Sequence, residues 1–137
     1  MSETNAVKDL VVRFYNALAQ GDIETLQALG RPDYIQHNPY FETGIEGLVK
    51  AIQAQPARQA GSPPIPPLEF VRIIAEGNLV MTLRRMPARG KRASLTGAEI
   101  ANVDIFRVQN GKVAEHWDYQ EQFPRGDSPP RNDNGRF

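Results

Sequence analysis

The sequence predicts an α+β domain in which three helices precede an antiparallel sheet, and two observations carry that expectation. Apolar residues recur at three-and-four spacing as far as Ile52, whereas from Leu68 onward they run in β-branched stretches separated by turn signals. Helices gathered ahead of such a sheet pack together on one of its faces. The chain has 137 residues, which fits one domain with a core of its own. That domain is expected over residues 1–123, with residues 124–137 as a polar tail rich in Pro, Gly and Asp.

The first helix is read from Val7, Leu10, Val11, Phe14, Tyr15 and Leu18, with Thr4 as its N-cap and Gly21 just past its end. Asp22 caps a shorter helix through Ile23, Leu26 and Leu29, which Gly30 and Pro32 stop. Residues 33–38 follow as a short strand broken at Pro39. Thr43 and Glu46 have capping-box spacing ahead of the stripe Ile45, Leu48, Val49 and Ile52, which predicts the third helix. The segment QPARQAGSPPIPP carries five prolines and must be a loop, of the kind that often lies over a site. A hairpin joined at EGN comes next, then strands over about residues 95–108 and 112–122 joined by Asn110-Gly111.

Sixteen basic and sixteen acidic residues cancel, so nothing in the net charge draws the chain to nucleic acid or to an anionic membrane. Arg84, Arg85, Arg89, Lys91 and Arg92 form a single basic run, read as a solvated hairpin end. The absence of cysteine removes disulfides, thiol nucleophiles and thiolate metal sites, and sets a cytoplasmic expectation. The charged N-terminal segment reads as neither a signal peptide nor a membrane span.

Two short strings, YIQHNP and VDIFRVQNGKVAEHWDYQ, resemble those of the SnoaL-like polyketide cyclases of the NTF2-like superfamily. The resemblance in element order covers roughly residues 5–123. It implies a cone in which helices close a strongly curved, mainly antiparallel sheet around a pocket. It further implies a homodimer through the outer sheet face, a small hydrophobic or carbonyl-containing ligand, and no metal or organic cofactor. In such cyclases an acidic residue of the last strand is the base of an aldol closure, and Asp118 of EHWDY matches that position. Asp118 also matches the catalytic aspartate of limonene-epoxide-hydrolase-type enzymes, which pair it with an earlier aspartate and an arginine. Asp104 can stand for the former, and no residue is matched to the arginine.

The register of the last hairpin decides which polar groups meet. A two-residue turn sets Val108 opposite Val113 and Asp104 opposite Trp117, which scatters the polar residues over both faces. A three-residue loop with Gly111 left-handed pairs Val108 with Lys112, Asp104 with His116 and Asn102 with Asp118. The second is preferred, because it gathers Asn102, Asp104, His116, Asp118 and Gln120 on one face and leaves Val103, Ile105, Val113, Trp117 and Tyr119 on the other. Trp117 and Tyr119 are then packing or dimer contacts.

The expected reaction is cofactor-independent proton transfer next to a carbonyl, an aldol cyclisation or an isomerisation. Asp118 is the base, and His37, His116 or Tyr34 is the donor to the enolate oxygen, with Asp104 beside them. Asn38, Asn102, Phe106, Gln120 and Tyr34 are the expected substrate contacts. Two rivals stand beside it: a non-catalytic ligand-binding or dimeric scaffold protein, and an epoxide or ester hydrolase using Asp104 and Asp118. His116, Asp118 and His37 also have the composition of a metal-binding facial triad, although its usual home is a double-stranded β-barrel. An H-x-D pair on a strand is equally a polar outer edge, and His37 is equally a structural histidine at the Pro39 turn.

Overall fold

A computed structural model describes residues 2–88, 97–124 and 128–137. Helices α1 (Glu3–Gln20), α2 (Ile23–Leu29) and α3 (Ile45–Gln53) cover one face of a five-stranded sheet of order β1-β5-β4-β3-β2. The strands are β1 (Gly30–Gln36), β2 (Arg72–Glu76), β3 (Leu79–Pro87), β4 (Glu99–Gln109) and β5 (Lys112–Phe123). The expected α+β class holds. Strands β2 to β5 form an antiparallel meander, and β1 adds to its far edge parallel to β5.

The caps differ from expectation at both ends of the helical set. Ser2, not Thr4, caps α1, its Oγ accepting from the Asn5 amide at 3.3 Å, because two more residues of polar sequence extend the helix before the chain turns. Gly21 ends it at φ 72°, with its amide turned back on Ala17 and Leu18. Asp22 caps α2 as predicted, accepting from Thr25 at 3.1 Å. No side chain caps α3: its N-cap is Gly44, and the Thr43 hydroxyl donates to the Tyr34 carbonyl and accepts from the Gln36 amide. The capping box is therefore not formed, since Thr43 is spent on sewing the α3 approach to β1. Gly47 is required there, because a Cβ would stand 2.1 Å from the Glu42 carbonyl oxygen.

Strand β1 begins at Gly30, three residues ahead of the predicted start, and ends at Gln36. Pro32 is tolerated inside it because β1 is an edge strand. His37 still donates its amide to the His116 carbonyl at 3.0 Å, so the extended backbone continues one residue further.

The last hairpin follows neither predicted register. Asn110 (φ 51°) and Gly111 (φ 71°) form a two-residue turn with both positions left-handed, and Val108 faces Val113. Between Arg107 and Val108 the ladder then shifts, leaving Ala114 as an extra residue, so that Arg107 faces Glu115, Phe106 faces His116 and Asp104 faces Asp118. The bulge restores the side-chain parity that a simple two-residue turn would have destroyed. The face segregation expected from the preferred register is thus present beyond the bulge, with different partners, whereas Val113, expected outside, precedes the bulge and packs in the inner core opposite Val108.

The inner face is divided along the strands. Near the turns it is apolar: Val80, Phe106, Val108 and Val113 pack with Val11, Phe14, Leu26, Tyr34 and Leu48 from the helices and β1. Full burial of a side chain of this size contributes about 2 kcal/mol. Toward the other end it turns polar, with Thr82, Asn102, Asp104 and His116 all buried. Residues of the tail lie against the sheet, where Arg136 meets Glu121 of β5 and Arg85 of β3 stands over the Phe137 ring at 4.5 Å.

Candidate active site

The polar half of the inner face and the helices enclose a cavity of about 710 Å³. Of the residues anticipated from the sequence, Tyr34, Asn38, Asn102, Asp104, Phe106, His116, Asp118 and Gln120 line it. His37 does not. Side chains alternate along extended backbone, so Tyr34, Gln36 and Asn38 point inward while Ile35 and His37 point outward. His37 stacks on Trp117 at 4.7 Å with the rings 5° apart, and meets Glu115 at 2.7 Å on the outer face. The facial triad through His37 is therefore not assembled. The same alternation marks Gln36 as a site residue that sequence reasoning passed over.

Gln36 organises the inner cluster. Its Oε1 accepts from the Asn38 backbone amide at 3.0 Å, and its Nε2 donates to the Tyr34 hydroxyl at 3.2 Å. A backbone N–H can only donate, so the orientation of this amide is settled. His116 Nδ1 lies 2.9 Å from the same Oε1 and must carry a proton. The other ring nitrogen, Nε2, lies 2.7 Å from Asp104 Oδ1. A neutral ring protonated at Nδ1 would oppose its Nε2 lone pair to a carboxylate, so a second proton resides in this bond, on the ring or on the carboxyl. Phe106 stacks on the His116 ring at 4.6 Å and closes the floor beneath it.

Asp104 is 1% exposed, and both its oxygens are occupied, Oδ1 by His116 and Oδ2 by the Asn102 amide. Asp118 stands directly opposite it across the ladder with one oxygen engaged, Oδ2 accepting from Asn38 Nδ2 at 2.8 Å. Asn38 is itself held by the Tyr40 amide, which donates to its Oδ1 at 2.9 Å. Oδ1 of Asp118 has no bond among the described residues. One carboxylate is saturated and one is half free. Asp104, His116 and Asp118 offer ligand atoms within 4.8 Å of one another, but a cation there would have to displace the His116–Asp104 bond.

Two tyrosines complete the wall. Burial, followed by the charge of Asp104, pushes the hydroxyls of both Tyr15 and Tyr34 above the ordinary tyrosine range, so both are held as neutral O–H groups. For Tyr15 the nearby Arg84 acts in the opposite direction. Arg84 donates Nη1 to the Tyr15 hydroxyl at 2.9 Å, with its guanidinium 4.9 Å from that ring. This corrects the reading of the basic run as a wholly solvated hairpin end: Arg84 pairs with Asn102 on the inner face, and its neighbour Arg85 points outward toward Glu99. Arg89, Lys91 and Arg92 lie outside the described residues. The proline-rich loop contributes no wall, since none of residues 54–67 lines the cavity. It is tied instead to α1, where the Leu68 amide donates to Asn16 Oδ1 at 2.8 Å.

Helices closing one face of a mixed sheet over a pocket make the NTF2-like fold. The SnoaL-like domain family matches residues 11–116, and the chain belongs to that family. The matched stretch includes Asp104 and His116 and stops two residues short of Asp118. Comparison with curated protein sequences finds no match. Among solved structures, TsrD from Streptomyces laurentii is similar, at 28% identity, with 88% of this chain and 92% of that one covered and a TM-score of 0.60. IdmH from Streptomyces antibioticus, a candidate polyketide cyclase, shares 26% identity over 84% and 91% of the two chains, with a TM-score of 0.56. An M. tuberculosis epoxide hydrolase of the LEH-like kind shares the fold, at 24% identity over 88% and 86% with a TM-score of 0.61. No helix among the described residues is long and apolar enough to cross a membrane.

Proposed function

We propose that the protein is a cofactor-independent enzyme that removes a proton next to a carbonyl, for aldol cyclisation or isomerisation, with Asp118 as the base. The observation that carries this reading is that Asp118 lines the cavity with its Oδ1 unbonded among the described residues, while both oxygens of Asp104 are engaged. Asp118 takes the proton from carbon, and the Tyr34 O–H, kept neutral by burial, donates to the developing enolate oxygen. The enolate carbon then attacks a second carbonyl, whose oxygen takes the proton back from Asp118 as it becomes a hydroxyl, or the proton returns from Asp118 to another carbon. His116 acts beside Asp118 as one end of the proton-bearing pair with Asp104, which favours negative charge in the pocket during the step.

The saturated state of Asp104 supports this over the hydrolase alternative, which needs two carboxylates turned toward one water. The test is hydrogen–deuterium exchange at the α-carbon of a panel of aryl methyl ketones in D2O, read by NMR. Asp118→Asn is expected to lower exchange at least about 100-fold while leaving the fold intact. Equal exchange by the two proteins would remove Asp118 from the chemistry, and ligand binding without exchange by either would mark a non-catalytic binder.

The outer face supports a second proposal, a homodimer. Ile35, Ile74, Leu79 and Tyr119 are 42%, 53%, 41% and 64% exposed and adjoin Val103, Ile105 and Trp117 on one side of the sheet. An apolar patch of this kind marks an association surface. Light scattering should report a dimer for the native chain and a monomer for Tyr119→Asp; a native monomer would refute the proposal.

A further inference from the structure

The catalytic proposal leaves one cavity residue without a part. Arg84 is the only lysine or arginine among the described residues lining the cavity. Its Nη1 is spent on Tyr15, but its Nε is buried with no hydrogen-bond partner, and Nη2 has no bond among the described residues. Leaving a buried donor of a charged group unpaired is costly, so such a group is normally completed by something. Nε and Nη2 lie on the same edge of the guanidinium, and that edge matches the two oxygens of a carboxylate. The chain itself shows this pairing elsewhere: Arg31 holds Asp33 through Nε at 2.8 Å and Nη2 at 2.9 Å.

The cross-strand register places this fork relative to the base. Arg84, Asn102 and Gln120 form one row across β3, β4 and β5, and Thr82, Asp104 and Asp118 form the next row. The two rows are one side-chain repeat apart, about 7 Å along the strands. Gln120 is exposed at the cavity rim and Asn102 is buried, so the Arg84 row spans from mouth to floor. A ligand entering past Gln120 meets the Arg84 row before it reaches Asp118.

We infer that Arg84 is the seat of a carboxylate on the substrate, so that the pocket takes a carbonyl compound bearing a carboxylate group set apart from the carbon that loses its proton by one side-chain repeat along the strands and two strands across. The inference rests on the catalytic reading for its second half, the position of the reacting carbon, and on Arg84 alone for its first. A neutral carbonyl oxygen would leave part of the fork unpaired. A carboxylate uses both donors, and its charge is balanced locally by the guanidinium.

The test is a calorimetric titration of the full chain with cyclohexanecarboxylate and with its neutral isostere cyclohexanecarboxamide. The native protein is expected to bind the acid at least about tenfold more tightly than the amide, and Arg84→Gln to bind the two alike. Arg84→Lys keeps the charge without the fork and should retain only part of the preference. A native protein that binds the acid no better than the amide, whether both bind or neither does, overturns the inference. So does a preference that survives in a folded Arg84→Gln. These outcomes are independent of α-carbon exchange: Arg84-dependent acid binding without exchange would sink the catalytic reading alone, and Asp118-dependent exchange without acid preference would sink this one alone.

Discussion

The chain has two histidines, and each meets a carboxylate at 2.7 Å, yet they belong to different regions of the molecule. His116 is on the inner face, 8% exposed, bridged between Asp104 and Gln36 and covered by Phe106. His37 is on the outer face, its side chain 42% exposed, stacked on Trp117 and joined to a Glu115 that Arg107 also holds at 2.7 Å. The contact distance does not separate them. What separates them is the medium: a pair in a low-dielectric pocket is a proton-bearing unit whose partners must all be matched, and a pair at a wet sheet face is weak and screened. The same bond is chemistry on one side and surface furniture on the other.

The comparison depends first on the bulge that assigns the faces. Inserting one alanine after Ala114 should be the most damaging change, because the residues beyond it would slip one place against β4 and exchange faces, carrying Asp118 outward and Trp117 inward. Loss of the cooperative thermal transition and of the near-UV circular dichroism is the expected result; a native-like melt would show that the bulge can take another residue. Next comes Asp104→Ala, which strands the His116 ring and the Asn102 amide in a buried site. It should cost about 3 kcal/mol in urea denaturation, and a loss below about 1 kcal/mol would place the pair in the surface class.

The smallest effect is expected outside. Glu115 is held below the ordinary value of 4.5 first by its hydrogen bond from His37 and also by Arg107. A depressed carboxylate stabilises the fold above its unfolded value and loses that contribution as pH falls through its folded value. Glu115→Gln should therefore cost less than about 1 kcal/mol at pH 7, given the exposure of His37, and the difference from the native protein should vanish in melts taken well below pH 4.5. A difference that persists there would mean that shape, not charge, is what Glu115 supplies.

Much of this arrangement was legible in the residues. The helical stripes gave the three helices, Asn110-Gly111 gave the turn, and the requirement that polar and apolar residues segregate gave the faces of β4 and β5 except at Val113, even though the pairing did not follow. His37 was placed among the site candidates because its string is rich in functional groups; applying the two-residue alternation from Tyr34 would have chosen Gln36 in its stead. Arg84 was hidden in a run of charges, where composition suggests solvent and only the ladder with Asn102 turns one member inward.

The sequence by itself determined the elements, their order, and the identity of a polar inner face, because periodicity and turn chemistry act over a few residues and are written in them. Only the tertiary structure decided the bulge at Ala114, the opposition of Asp104 to Asp118, and the choice of Gln36 over His37 and of Arg84 over Arg85. A bulge is a compromise between a turn that wants one register and two strand faces that want another, and that balance is struck across residues far apart in the chain. The family resemblance anticipated a pocket and a base; the packing of β5 between β1 and β4 supplied the partners that give each carboxylate a different state.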